Sequence, residues 1–184
     1  IQVAMTVQQE QNFVSAQMET TDQLYDYNGL SDSSSIAITG GAAGSDPSTA
    51  TVEIEFSSLA ANVSDEVGKV TFGIFDIDQA TGFIDQVTVR AYNAAGELVP
   101  VNLTAGNTST LSVNDATGQA ISTGAGTGAV DSKTGFVQVE IAGPVSRIEI
   151  DYNNADPADA RHAIRIGDLQ LSQIETNAAG ADTL

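Results

Sequence analysis

Thr51-Val52-Glu53-Ile54-Glu55-Phe56 places an apolar side chain at every second position, with polar side chains between them. This period of two is typical of a β-strand with one buried face, because successive side chains point to opposite sides. Outward from this segment, the same alternation recurs at residues 70–74, 87–91, 137–141, 148–152 and 164–171. β-branched residues dominate these runs, as strands favour.

Clusters of turn-forming residues separate the alternating runs. Gly and Asn accept positive φ angles and so close tight hairpins. They occur at residues 40–41, 81–82, 93–96, 105–107, 124–128, 142–144 and 153–157. Short strands divided by such turns predict an all-β fold, with two antiparallel sheets packed as a jelly-roll-like β-sandwich.

Three stretches depart from the alternating pattern. Residues 12–24 are the best helix candidate, although their apolar positions fit a helical face loosely and a strand pair equally well. Residues 30–50 and 105–134 are rich in small and polar residues, which indicates loops or ragged edge strands.

The length of 184 residues suits a single domain over 1–184, with residues 1–12 as a candidate donor or edge strand and 175–184 as a tail. Hydrophobic residues make up 41% of the chain and aromatic residues 5%, so the core must consist mainly of Val, Ile, Leu and Ala. A start at Ile1 fits a mature product or an excised domain equally well.

The chain is strongly acidic, with 24 Asp and Glu against 6 Lys and Arg and a formal net charge of -18. Such a surface repels phosphate backbones and anionic lipid heads, which argues against nucleic acid and membrane partners. The absence of cysteine excludes disulfides, a thiolate nucleophile and a Cys-based zinc site. No apolar run approaches the ~20 residues of a membrane-spanning helix.

A negative field favours divalent cations, and two groups of oxygen-bearing side chains are candidates for Ca²⁺. Asp76 and Asp78 lie two apart at the end of a predicted strand, with Asp85 across a short turn, so their carboxylates are expected on one side. The alternative is that these acids are solvated at a hairpin end.

The second acidic group is denser but resembles an ordinary turn as much as a cation site. Its members are Asp151, Asn153, Asn154, Asp156 and Asp159. Asp168 follows another predicted strand and is expected to complete either group if that strand lies beside it.

Catalysis is not favoured by the remaining polar residues. His162 is the single histidine and is interpreted as a loop residue, because no Gly-x-Ser-x-Gly elbow accompanies it. Paired carboxylates for glycoside hydrolysis usually face an aromatic-lined groove, and aromatic residues are scarce. Tyr25 and Tyr27, at alternate positions, are the candidates for stacking on a ligand, with packing at a sandwich edge as the alternative.

Four segments between residues 69 and 171 carry a resemblance to known proteins: VTFGIFDID at 70–78, DQVTVRAY at 85–92, AAGELVPV at 94–101, and IAGPV at 141–145 followed by IEIDYNN at 148–154. They resemble β-sandwich modules of secreted surface proteins of marine bacteria, including calcium-dependent adhesins of the repeats-in-toxin type. The resemblance implies a jelly roll, a secreted or cell-surface location, and calcium at Asp76 and Asp78. The nonapeptide calcium repeats of such adhesins are missing.

Two non-catalytic functions follow as hypotheses. The first is a calcium-stabilised subunit of a surface fibre, sheath or matrix, whose partners are copies of itself or other surface proteins. Ile1, Val3, Met5 and Val7 alternate at the N-terminus and would pair with a neighbouring copy, unless this strand pairs within its own sheet. The second is a calcium-dependent adhesin module that binds polysaccharide or peptide.

Overall fold

The structure, a computed structural model, describes residues 1–9, 13–21, 23–27, 33–41, 48–60, 63–124, 129–156, 158 and 160–174. Its strands are β1 (Gln2–Gln9), β2 (Phe13–Glu19), β3 (Ser35–Gly40), β4 (Thr49–Ser57), β5 (Val67–Phe75), β6 (Gln79–Ala80), β7 (Phe83–Tyr92), β8 (Leu98–Val99), β9 (Val101–Ala105), β10 (Leu111–Asn114), β11 (Gln119–Ser122), β12 (Val137–Val145), β13 (Arg147–Asn154), β14 (His162–Gly167) and β15 (Gln170–Gln173). A 3₁₀ turn, Lys133–Gly135, precedes β12.

Two antiparallel sheets form the fold. Sheet A has the strand order β1-β4-β13-β7-β11-β10, and β8 pairs with β7 at its margin. Sheet B has the order β2-β3-β14-β5-β12-β9, and β15 pairs with β5. The prediction of an all-β, two-sheet antiparallel sandwich is confirmed. No helix in the described residues is long and apolar enough to cross a membrane.

The core lies between the sheets and follows from the alternation in the sequence. Val52 and Ile54 of β4 are fully buried, while Glu53 between them points outward. The core formed by these inward side chains is mainly aliphatic and contains few aromatic rings, as the composition predicts. Leu24, Phe75 and Phe136 form a second, smaller core cluster.

One open alternative is resolved, and one interpretation needs correction. Residues 13–19 form a strand, β2, which pairs with β3 in sheet B, so the strand alternative and not the helix is correct for this part of 12–24. Residues 35–40, expected in a loop or ragged edge, form β3, which lies between β2 and β14 with Ile38 fully buried. The apolar alternation of β3 is short and is flanked by small polar residues, so the surrounding composition indicated a loop. Residues 111–114 do form an edge strand, β10.

The first strand pairs within its own chain. β1 lies antiparallel to β4, with Val3 opposite Phe56 and Met5 opposite Ile54, and it ends the strand order of sheet A. Met5 and Val7 pack against the core, whereas Ile1 and Val3 are exposed. Gln2–Gln9 therefore form an edge strand, while 10–12 and the tail 175–184 lie outside the described residues.

Candidate functional site

A polar depression crosses the outer face of sheet A. Antiparallel register aligns two rows of outward side chains over β4, β13 and β7: Thr51, Asp151 and Thr88 in one row, and Thr49, Asn153 and Gln86 in the next. Together with Arg90 they enclose about 390 Å³. We call this depression the polar groove. Its lining offers hydroxyl, amide, guanidinium and carboxylate groups to a ligand.

An ion pair fixes the middle of the polar groove. Arg90 Nη1 donates to Asp151 Oδ2, and Thr51 Oγ1 donates to Asp151 Oδ1 over 2.9 Å. The hydrogen bond to Asp151 raises the pKa of the Arg90 guanidinium, so this side chain keeps its charge. The two opposite charges cancel, and the floor of the groove carries no net charge from this pair.

A second charged cluster lies beside the polar groove on the same face. The Arg147 guanidinium sits 4.2 Å from the centre of the Tyr92 ring and donates to Glu53 over 3.1 Å and to Glu149. Tyr92 Oη in turn donates to Glu149 Oε2 over 3.0 Å. Burial, followed by this hydrogen bond, raises the pKa of Tyr92. The cluster therefore holds the Tyr92 ring in place beneath a cation.

A larger cleft adjoins the polar groove along β7. This cleft has a volume of about 690 Å³ and shares Thr88 and Arg90 with the groove. It continues between Leu98 and Pro100 on one side and the turn at Gly118 on the other. From β4 to β11 the connected surface crosses three strand spacings, roughly 14 Å at about 4.8 Å each.

Gly118 shapes the wall of this cleft. Its φ is 63°, and its carbonyl accepts a hydrogen bond from Val89 N–H over 2.7 Å. A Cβ at this position would lie 2.0 Å from the Val89 carbonyl oxygen. Only glycine allows the turn to approach β7 so closely, because other residues are strained at positive φ and would collide with the backbone.

A buried polar cluster links the two sheets at one end of the sandwich. Asp85 of β7 and Tyr152 of β13 come from sheet A, and His162 of β14 comes from sheet B. Tyr152 Oη donates to Asp85 Oδ1 over 2.7 Å, and His162 Nδ1 lies 2.8 Å from the same oxygen. The exposed fractions of Asp85 and His162 are 0% and 4%. The interpretation of His162 as a loop residue is therefore wrong.

Burial dominates the electrostatics of this cluster. It raises the pKa of Asp85, although hydrogen bonds from His162 and Tyr152 oppose that shift. Burial, reinforced by the charge of Asp85, also raises the pKa of Tyr152 well above its usual value. Tyr152 consequently stays protonated and acts as a hydrogen-bond donor to Asp85.

Ser48 completes a Ser-His-Asp arrangement within the buried cluster. Ser48 Oγ lies 3.0 Å from His162 Nε2 and accepts a hydrogen bond from Gly41 N–H over 2.7 Å. Such spacing is that of a nucleophile with its base. Ser48 is nevertheless 3% exposed. Because an external substrate must reach the nucleophile, this arrangement stabilises the fold and does not form an open active site.

The predicted calcium ligands are dispersed. Asp76 and Asp78 follow β5 and are half-buried, while Asp85 is directed into the core and accepts a hydrogen bond from Asp78 N–H over 3.2 Å. Asp151 and Asn153 line the polar groove instead. Within the ranges that the structure describes, no three His, Asp or Glu side chains are grouped to hold a metal ion.

The remaining predicted ligands serve turns and strand ends. Asp156 Oδ1 accepts from Ala158 N–H over 2.8 Å, as in an ordinary turn, and Asp159 lies outside the described residues. Asp168 accepts from Ser34 Oγ over 2.7 Å at the end of β14 opposite His162. That strand separates it by roughly 20 Å from the Asp85 end, so it does not join that group.

Tyr25 and Tyr27 pack against the core. Their ring centres lie 5.3 Å and 5.0 Å from that of Phe136, and both side chains are half-buried. This arrangement matches the alternative of packing at a sandwich edge. Their role as ligand-stacking residues remains a prediction.

Comparison with known proteins yields likenesses of fold only. No protein-family model and no curated protein matches the chain. The enzymatically active domain of bacteriophage CBA120 tailspike protein 4 is 11% identical with a TM-score of 0.44, over 94% of this chain and 19% of its own length. The chain thus spans about a fifth of that protein.

Two carbohydrate-binding modules are similar at the same level. The non-crystalline cellulose-specific module CBM28 is 13% identical with a TM-score of 0.41, over 91% of this chain and 88% of its own. The mannan-recognising module TmCBM27 is 12% identical with a TM-score of 0.37, over 93% and 98%. The resemblance to calcium-dependent marine adhesins is not tested by these likenesses and stays a prediction.

Proposed function

We propose that this chain is a non-catalytic extracellular module that binds a neutral polysaccharide in the polar groove. The observation that carries the proposal is the pair of aligned rows over β4, β13 and β7, which present hydrogen-bonding side chains on a rigid sheet. Hydroxyl-rich ligands are recognised by convergent polar groups of this kind. The cleft that shares Thr88 and Arg90 extends the surface for a chain-like ligand.

Charge selects the class of polysaccharide. The net charge of -18 repels uronate and sulfate polymers over the whole surface. In the groove itself, Arg90 is paired with Asp151 and is therefore already engaged by a carboxylate. A neutral polymer avoids both the long-range repulsion and competition with this ion pair.

The first test removes two groove side chains that are outside the ion pair. We expect the double variant Asn153→Ala/Thr88→Ala to bind a neutral polysaccharide roughly 10- to 30-fold more weakly, because each hydrogen bond contributes about 1 kcal/mol. Affinity electrophoresis in gels containing mannan or hydroxyethylcellulose, followed by calorimetry, measures the change. Polygalacturonate serves as the anionic polymer, for which no retardation is expected.

The matched control is Asn102→Ala/Thr104→Ala, which removes the same residue types from exposed positions of β9 in sheet B. It should bind like the parent chain. Equal binding by the groove double variant would refute the proposed site, and a parent chain that ignores every neutral polymer would refute the function.

The proposal extends to calcium at Asp76 and Asp78. Its support is the acidic chain and the position of these two half-buried carboxylates after β5. We expect CaCl₂ to raise the melting temperature progressively, since a ligand that binds only the folded state stabilises it. The Asp78→Asn variant should lose most of this increase.

Magnesium chloride at equal ionic strength is the control for that titration. A melting temperature that responds equally to both salts indicates charge screening and contradicts a calcium site. Carbohydrate binding is measured separately with and without EDTA, so the two parts of the proposal are tested independently.

A further inference from the structure

The edge strand β1 lacks the usual protection against pairing with another strand. Within the described residues its neighbour in sheet A is β4, so its other edge presents backbone N–H and C=O groups outward. Natural edge strands are normally interrupted by charge, proline or a bulge. Residues 1–9 contain no Asp, Glu, Lys, Arg, Pro or Gly, in a chain with 24 acidic residues.

An apolar cleft lies beside the same edge. It separates Val3 and Met5 of β1 from Met18 of β2 and Leu171 of β15, and it has a volume of about 420 Å³. Val3, Met18 and Leu171 are 46%, 75% and 39% exposed. Adjacent exposed apolar side chains of this kind mark interaction surfaces.

We propose that β1 pairs antiparallel with β1 of a second copy across a two-fold axis, so that sheet A continues through both sandwiches. Paired edges satisfy the outward backbone groups of both strands. The inward side chains Val3 and Met5 of the second copy then lie beside Met18, where they exclude water from the cleft mouth. The interface is isologous, as in most homodimers.

Charge makes a second copy an acceptable partner at this edge. The nearest acidic side chains in sheet A are Glu53 and Glu55, on β4. Asp168 also lines the cleft, where its carboxylate accepts a hydrogen bond from Ser34 Oγ. Across a β1–β1 junction, the two β4 strands are separated by three strand spacings, roughly 14 Å. That distance exceeds the Debye length of about 8 Å at physiological ionic strength, so repulsion between these carboxylates is largely screened.

Strand lengths favour a closed dimer over a fibre. A growing filament would join β1 of one copy to the opposite edge of sheet A in the next. That opposite edge is β10, which has 4 residues against the 8 of β1. In such a contact, half of the backbone groups on the outer edge of β1 would remain unpaired. Two copies of β1, in contrast, match along their full length.

The test measures mass in solution for a lysine variant and a matched control. We expect light scattering after size exclusion, and sedimentation velocity, to show a concentration-dependent dimer of the parent chain. Val3→Lys should reduce the dimer fraction at least tenfold. Leu98→Lys, at an exposed apolar position of β8 on the far side of β7, should leave it unchanged.

Single cysteines provide a positive readout, because the chain has none of its own. Oxidative cross-linking of variants at positions 3 to 7 should peak at the residue on the two-fold axis, where Cα atoms approach within disulfide range. Asn102→Cys on β9 should not cross-link. The proposal would be overturned if the parent chain stayed monomeric or formed open-ended polymers. It would also be overturned if Val3→Lys still dimerised like the parent chain, or if Leu98→Lys lowered the dimer fraction equally.

Discussion

Replacing His162 with alanine should lower the free energy of unfolding by about 3–5 kcal/mol. The change removes a buried ring together with its contacts to Asp85 and Ser48, so a cavity and less satisfied buried polar groups both contribute to the loss. Asp85 would keep its hydrogen bonds from Tyr152 and Asp78 N–H, but it would lose the ring that links it to sheet B. Urea denaturation followed by far-ultraviolet circular dichroism measures the loss.

The neighbouring Arg161→Ala is the control, because Arg161 is exposed and its truncation should change stability by no more than about 0.5 kcal/mol. Combining His162→Ala with Tyr152→Phe in a double-mutant cycle measures how far the two side chains act together through Asp85. A loss below about 1 kcal/mol for His162→Ala would show that the cluster contributes little.

Phe136→Ala is expected to cost about 3–5 kcal/mol, since truncating a fully buried aromatic ring leaves a cavity. Phe136 is at the centre of the smaller core cluster. Its ring centre lies 5.0 Å from that of Phe75, and 5.3 Å and 5.0 Å from those of Tyr25 and Tyr27. Near-ultraviolet circular dichroism should report the loss of tyrosine ordering in addition to the change in urea midpoint.

Phe136→Leu separates ring volume from ring geometry. It retains most of the buried apolar surface and should cost considerably less than the alanine variant. If Phe136→Ala unfolded at the parent urea concentration, the cluster would not contribute to stability. Unchanged near-ultraviolet signals would mean that Tyr25 and Tyr27 are held by other contacts.

The alternation of inward and outward positions along each strand predicted the sandwich well. The same alternation also indicated which residues form the buried polar cluster. Asp85 continues the inward positions Val87 and Val89, just as Tyr152 continues Ile148 and Ile150. His162 has the same parity as Ile164 and Ile166. Tyr152 already ends the predicted alternation at 148–152, and extending the other two alternations by one step also places Asp85 and His162 in the core. The interpretations of Asp85 as a calcium ligand across a turn and of His162 as a loop residue ignored this signal.

The polar groove was not predictable from local pattern. Its rows combine Thr51, Asp151 and Thr88, which are far apart in the chain and meet only through the order β4-β13-β7 and its register. A single sequence gives the alternation within each strand but not which strand lies beside it. For the same reason, the predicted calcium ligands were grouped by closeness in sequence, although Asn153 lines the polar groove while its neighbour Asn154 is buried.

Strand β14 carries the contacts that distinguish the two ends of the molecule. His162 at its start binds Asp85 of the opposite sheet, whereas Ile166 and Gly167 at its finish line the open apolar cleft. Within the described residues, the polar contacts between the two sheets at His162 thus lie at the end of β14 away from the cleft. We expect amide hydrogen exchange to be slower around His162 than in the strands that border the cleft, because local opening is easier where fewer contacts join the two layers.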